Sequence, residues 1–148
     1  MKPIKVAVVG YGGMGSWHTE RIGEMDKFTL AGVWDIDPAA LELARANAQR
    51  AGVSDRITFE RHDLHDFAPQ SEKGTLICNP PYGERLLDLQ AAEELYRLMG
   101  QKFPQRHGWS YSVISPSEDF ELFFGRKADK RRKLYNGMIK CQVYMYFK

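Results

Sequence analysis

The run Asn79-Pro80-Pro81-Tyr82 is the part of this chain best equipped for chemistry. It follows a short apolar stretch, Thr75-Leu76-Ile77-Cys78, that reads as a buried strand. Loops after such strands are where parallel α/β folds hold their ligands. Two successive prolines fix two φ angles and remove two backbone donors, so the loop offers the Asn79 amide and bare carbonyls as acceptors beside Tyr82. That set suits a planar ring carrying an exocyclic NH2. The lone pair of such an amine is conjugated into the ring, and acceptors on its two hydrogens help to localise the pair toward an electrophile. Tyr82 can stack on the ring. The plainer reading is a rigid Pro-Pro turn, but Asn before and Tyr-Gly after favour the chemical one.

A second constellation lies near the start. Gly10, Gly12 and Gly15 fit the spacing G-x-G-x-x-G, in which the first glycine permits a tight turn, the second lets a ligand approach the backbone, and the third lets a helix pack on a strand. The apolar run Val6-Ala7-Val8-Val9 precedes them, and Trp17, Ile22 and Met25 give a weak helical stripe after them. Asp35 stands about 20 residues beyond the last glycine, at the end of a second strand from Leu30 to Trp34, where a carboxylate can accept hydrogen bonds from ribose hydroxyls.

The elements that position these residues follow in order. Pro38 opens a helix whose buried face carries Leu41, Ala44, Ala48 and Ala51, and Gly52 stops it. Asp55 and Arg56 begin a third strand that runs through Ile57-Thr58-Phe59-Glu60. Ala92, Leu95, Tyr96, Met99 and Phe103 form an amphipathic series that belongs to a core-facing helix, ended by Pro104. Trp109 to Ile114 reads as the fifth strand and Glu118 to Phe124 as a short helix stopped by Gly125. Asn136-Gly137 signals a hairpin, after which Ile139, Cys141, Val143, Met145 and Phe147 alternate with polar or tyrosine positions. Arg126, Lys127, Lys130, Arg131, Arg132 and Lys133 gather before it, as a solvated edge or as a phosphate-binding patch.

The loop motif resembles that of class I S-adenosylmethionine-dependent amino-methyltransferases, and Cys78 to Leu86 resembles the bacterial 23S rRNA guanine-N2 methyltransferases. Asp35-Ile36-Asp37, Ala44-Arg45-Ala46-Asn47-Ala48, Ala51-Gly52-Val53, Ile57-Thr58-Phe59 and Lys127 to Gly137 are similar to the same family. The resemblance implies S-adenosylmethionine as cofactor, RNA as partner, Asn79, Pro80, Pro81 and Tyr82 as the catalytic loop, and Asp63 as the acid that accepts from the adenine amine. A capping role in its loop is the bland reading of Asp63.

Residues 1 to about 38 carry a different likeness. Lys5 to His18 resembles the NAD(P)-binding start of the glucose-fructose oxidoreductase and inositol dehydrogenase family, whereas the methyltransferases carry an Asp-Pro-x-Cys-Gly-Ser-Gly-Thr type loop there. The two likenesses meet at Asp35-Ile36-Asp37, which implies an engineered chimera of two Rossmann-like halves, residues 1–38 and 39–148, with a natural recombinant as the alternative. The RNA-binding domain of one family and the substrate domain of the other are not in the sequence, so impaired activity and weak RNA binding are expected. NAD is the alternative ligand of the glycine turn, although the dehydrogenases' Glu-Lys-Pro catalytic segment is absent.

The 148 residues fit one domain with a real core. A net charge of +2 gives no global case for nucleic acid, which leaves only local patches to attract it. Cys78 and Cys141 sit in apolar runs without metal-ligand spacing, so buried reduced thiols and no metal are expected. His18, His62, His65 and His107 show no ligand spacing either. No apolar run reaches membrane-spanning length, no signal-peptide core follows Met1, and the cytoplasm is the expected setting. The expected architecture is a three-layer α/β/α sandwich of methyltransferase type, with seven strands in order 3-2-1-4-5-7-6 and the last antiparallel.

Overall fold

A computed structural model describes residues 4–9, 21, 24, 28–34, 38–69, 71–82 and 89–147. Seven strands form one sheet in the order β3-β2-β1-β4-β5-β7-β6. They are β1 (Ile4–Val9), β2 (Phe28–Trp34), β3 (Thr58–Glu60), β4 (Gly74–Cys78), β5 (Trp109–Ser115), β6 (Lys130–Asn136) and β7 (Ile139–Tyr146). Strands β1 to β5 pair in parallel, while β7 runs antiparallel to both β5 and β6. This is the expected order and the expected reversal.

Helices cover both faces because β4 alternates. Its Ile77 packs with Ala44 and Ala48 of α1 (Pro38–Arg50), while Leu76 and Cys78 face Ala92, Tyr96 and Met99 of α2 (Leu89–Lys102). Leu41, Ala44 and Ala48 are buried as the stripe predicts, but Ala51 is exposed in the turn that follows Arg50. The helix has already ended there: Val53 N–H bonds back to the Ala48 carbonyl, and Gly52 takes φ +69°. Asp55 and Arg56 likewise fall in a 3-10 turn, Ser54–Arg56, rather than in β3.

The α2 side is held by aromatic rings. Phe103 stacks on Tyr111 at 5.1 Å, and Phe120 and Phe124 of the short α3 (Phe120–Phe124) stack on Tyr144 at 4.5 Å and Tyr146 at 4.6 Å. Glu118 and Asp119, expected inside that helix, form the turn before it. Gly100 brings α2 and α3 together, since a Cβ at that position would lie 2.0 Å from the Phe124 carbonyl oxygen.

The basic run lies largely within the edge strand β6. Arg131 donates a two-pronged hydrogen bond to Glu121 of α3, with Nε 2.8 Å from Oε1. Glu121 also accepts from the Ala128 N–H at 2.8 Å, so one carboxylate ties α3 to the start of β6. Among the described residues no helix is long and apolar enough to cross a membrane, and no group of three potential metal ligands occurs. Both cysteines are buried free thiols.

Candidate active site

Strand register brings the ends of the parallel strands to one side of the sheet. Val9 of β1 pairs with Cys78 of β4 and with Trp34 of β2, and Trp34 pairs with Glu60 of β3. Gly10, Gly12, Gly15 and Asp35, which follow β1 and β2 in sequence, lie outside the described residues, as do Gly83 to Leu86. Asp63 and the Asn79 loop are described, and both come just after strands that end on this side.

Asn79 leaves β4 half-buried, and its Oδ1 is buried with no hydrogen-bond partner among the described residues. A buried acceptor left unsatisfied costs roughly 1–3 kcal/mol, so the loop holds an oxygen that an N–H donor would satisfy. Pro80 beside it is buried and Pro81 exposed, and their rings fix the two φ angles that follow Asn79. Tyr82 is only 7% exposed, and its hydroxyl accepts from Asn136 Nδ2 at 2.5 Å. Stacking on Tyr82 therefore needs its ring uncovered first.

Asn136 was legible in the sequence only as half of a turn signal. The two residues of the hairpin turn are Gly137, at φ +63°, and Met138, so Asn136 is the last residue of the β6 ladder, paired with Ile139. That one-residue shift frees its amide to reach Tyr82 in the loop after β4. A second tie lies beneath. Ser115, fully buried at the end of β5, donates to the Tyr96 hydroxyl at 3.0 Å and accepts from the Ser117 N–H at 3.1 Å, while Tyr144 donates to the Ser117 carbonyl at 2.7 Å. Burial raises the Tyr96 phenol above its usual value, with Cys141, Tyr82 and Cys78 adding smaller contributions. Burial pushes the Cys78 thiol up to about 12, which removes it as a nucleophile.

Asp63 is exposed and caps the 3-10 turn Leu64–Asp66: its Oδ1 accepts from the His65 N–H at 2.8 Å and meets His65 Nδ1 at 2.7 Å. These bonds, the backbone one foremost, hold its carboxyl below the usual range, so it stays an anionic acceptor. His62 pairs with Glu60 at 2.9 Å. The set of anionic and amide acceptors fits a ligand that presents amines and hydroxyls.

A family profile described as RMKL-like, methyltransferase domain, matches residues 16–145. YpsC of Bacillus subtilis, provisionally named an RNA methyltransferase, is 43% identical over 113 residues, which are 76% of this chain and 29% of that protein. The ribosomal RNA large subunit methyltransferase K/L of Legionella pneumophila is 37% identical over 111 residues, 74% of this chain and 16% of its own length. The chain thus spans less than a third of these curated relatives. Among solved structures, SMU.472, a provisionally named methyltransferase complexed with SAH, superposes with TM-score 0.81 at 31% identity, covering 99% of this chain and 48% of that one.

Proposed function

The chain belongs to the RMKL-like methyltransferase domain family, and on that premise we propose that it methylates an exocyclic amine of an RNA base, the N2 of guanine in 23S rRNA, using S-adenosylmethionine. The observation that carries this reading is the buried Asn79 Oδ1 in the loop after β4, unpartnered among the described residues. Asn79 accepts one N–H of the target amine, and the proline-fixed carbonyls supply further acceptors, which directs the nitrogen lone pair away from them. The cofactor supplies a methyl group on a sulfonium. When bound, it would transfer that methyl to the nitrogen, the S–C bond giving way to the N–C bond and the sulfur leaving as a neutral thioether, and the amine would give its proton to water. No strong general base is required of the protein. Asp63 is assigned to the adenine amine, Asp35 to the ribose, and Gly10, Gly12 and Gly15 to the turn beneath them.

We also propose that residues 1–38 derive from a dehydrogenase-like segment and that turnover is therefore slow. Methyl transfer requires donor and acceptor in line, and a misplacement of about 1 Å can cost on the order of a hundredfold. The likeness of Lys5 to His18 to the dehydrogenases supports such a seam, while the profile match that begins at residue 16 argues for methyltransferase character upstream of it.

Two measurements test these readings. Calorimetric titration should show S-adenosylhomocysteine binding in preference to NAD, and binding of NAD alone would overturn the cofactor assignment. Labelled S-adenosylmethionine with unmodified 23S rRNA fragments should give slow incorporation into guanine that depends on Asn79. Fast incorporation would refute the impairment, and incorporation indifferent to Asn79 would refute the site.

A further inference from the structure

The opposite end of the sheet holds a second set of unsatisfied polar groups. A cavity of about 120 Å3 opens where β5 begins and β7 ends, lined by Arg106, Trp109, Tyr111, Arg126, Lys127 and Asp129 among others. Tyr111 is 2% exposed, yet its hydroxyl finds no partner among the described residues, and neither does the buried Nε of Arg126. Of the two, Nε can only donate. Two unmet donors thus belong to residues that line one small cavity.

The arginine is already fixed in place. Its Nη2 donates to the Phe103 carbonyl at 3.1 Å, and its guanidinium lies 4.8 Å from the Tyr146 ring centre and 5.4 Å from that of Phe124. Tyr146 in turn donates to the Arg126 carbonyl at 3.2 Å. Holding a guanidinium this way leaves its Nε–H as a preorganised donor with little entropy left to lose on binding. Charge points the same way. Arg106, Arg126 and Lys127 bring three positive charges against one carboxylate, Asp129, which accepts from the Phe147 N–H at 2.8 Å. The phenol of Tyr111 is raised by burial and lowered by Arg126 and Arg106, in keeping with both guanidinium groups facing it.

A ligand for this cavity must be small, bring acceptor oxygens, and carry negative charge. We propose that it binds a phosphate-type oxyanion, free or as the terminal phosphate of a nucleotide, with Tyr111 and Arg126 as floor donors and Arg106 and Lys127 at the rim. The site is separate from the Asn79 loop, which follows the far end of β4.

Thermal scans and calorimetry at constant ionic strength, with sodium phosphate replacing sodium chloride, test it. Phosphate should raise Tm in a saturable way. Tyr111→Phe keeps the ring stacks on Phe103 and Trp109 and removes only the hydroxyl, so it should fold and bind phosphate about tenfold more weakly, the loss of one hydrogen bond to a charged group. Lys127→Met should weaken binding, whereas Asn79→Ala should not change it. The Arg126 Nε–H resonance should move on titration. Adenosine 5′-monophosphate, with adenosine as control, separates the sources: a response to both phosphates supports a nucleotide end, and a response to inorganic phosphate alone supports the free ion. No saturable response beyond chloride, or equal affinity in Tyr111→Phe, overturns the proposal.

Discussion

Asn79 allows stability and activity to be pulled apart in a single substitution. Its Oδ1 is buried and has no hydrogen-bond partner among the described residues, so Asn79→Ala should leave the urea midpoint unchanged or raise stability by up to about 1 kcal/mol. Methyl incorporation should fall on the order of a hundredfold or more, by analogy with the removal of one charge-stabilising contact. A large loss of stability would mean that the amide serves the fold instead. Asn136 should behave in the reverse sense. Asn136→Ala leaves the Tyr82 hydroxyl without its 2.5 Å donor, so it should cost about 1 kcal/mol and lower Tm. It should also raise the accessibility of the Tyr82 ring, measured as quenching of tyrosine fluorescence against a Tyr82→Phe control.

At the scale of elements, the contact between α2 and α3 is the least forgiving. Gly100→Ala would place a methyl 2.0 Å from the Phe124 carbonyl, and backbone cannot swing aside as a side chain can. The two helices must separate, which should cost about 3 kcal/mol or more, read from denaturant unfolding. Gly52→Ala has open space around it but a φ of +69°, so it should cost only about 1–2 kcal/mol. Equal costs would show that sterics at Gly100 had been relieved by movement. The α2 series from Ala92 to Phe103 was readable because its period is that of a helix and its face meets the core. The ends of elements were less readable. Ala51 satisfies the same periodicity as Ala48, yet a glycine one residue later draws the chain out of the helix first. Asp55 and Arg56 look extended in sequence but close a 3-10 turn. The tie between Asn136 and Tyr82 spans 54 residues, and nothing local encodes it.

For the molecule as a whole, burial of weak acids in the aromatic layer sets an alkaline limit. The Cys78 thiol is pushed from 9.0 to about 12, and the phenols of Tyr96, Tyr111, Tyr144 and Tyr146 are raised as well, burial being the leading cause in each. Each folded-state value lies above its unfolded one. Stability from these groups is therefore complete below about pH 8, where both states hold the proton, and is lost as pH rises and only the unfolded chain ionises. The slope is about 1.4 kcal/mol per pH unit for each group that is fully ionised unfolded and protonated folded. Urea midpoints should fall steeply between pH 9 and 12, and a flat profile there would contradict the burial of these groups. The strand order was readable through family resemblance, because the loop motif and the final hairpin locate β4 and β7. The pocket between Tyr111 and Arg126 was not, since its members come from β5 and from the segment between α3 and β6, 15 residues apart in sequence, and meet only when β7 brings Tyr146 between them.

Placing β7 between β5 and β6 also sets a schedule for the nascent chain. Strand β6 leaves the ribosome before β7, yet among the described residues its ladder partner is β7 alone. It must wait, unpaired and strongly basic, until Ile139 to Tyr146 has emerged. Until then β5 presents the open edge to which Tyr144 and Tyr146 later bring their rings, with Val113 and Tyr111 on it. Ribosome-stalled chains that expose residues only through Asn136 should therefore be protease-sensitive and chaperone-bound, while chains that also expose Tyr146 should be protected. Closure of this sheet is then expected to be late and all at once rather than a strand-by-strand accretion.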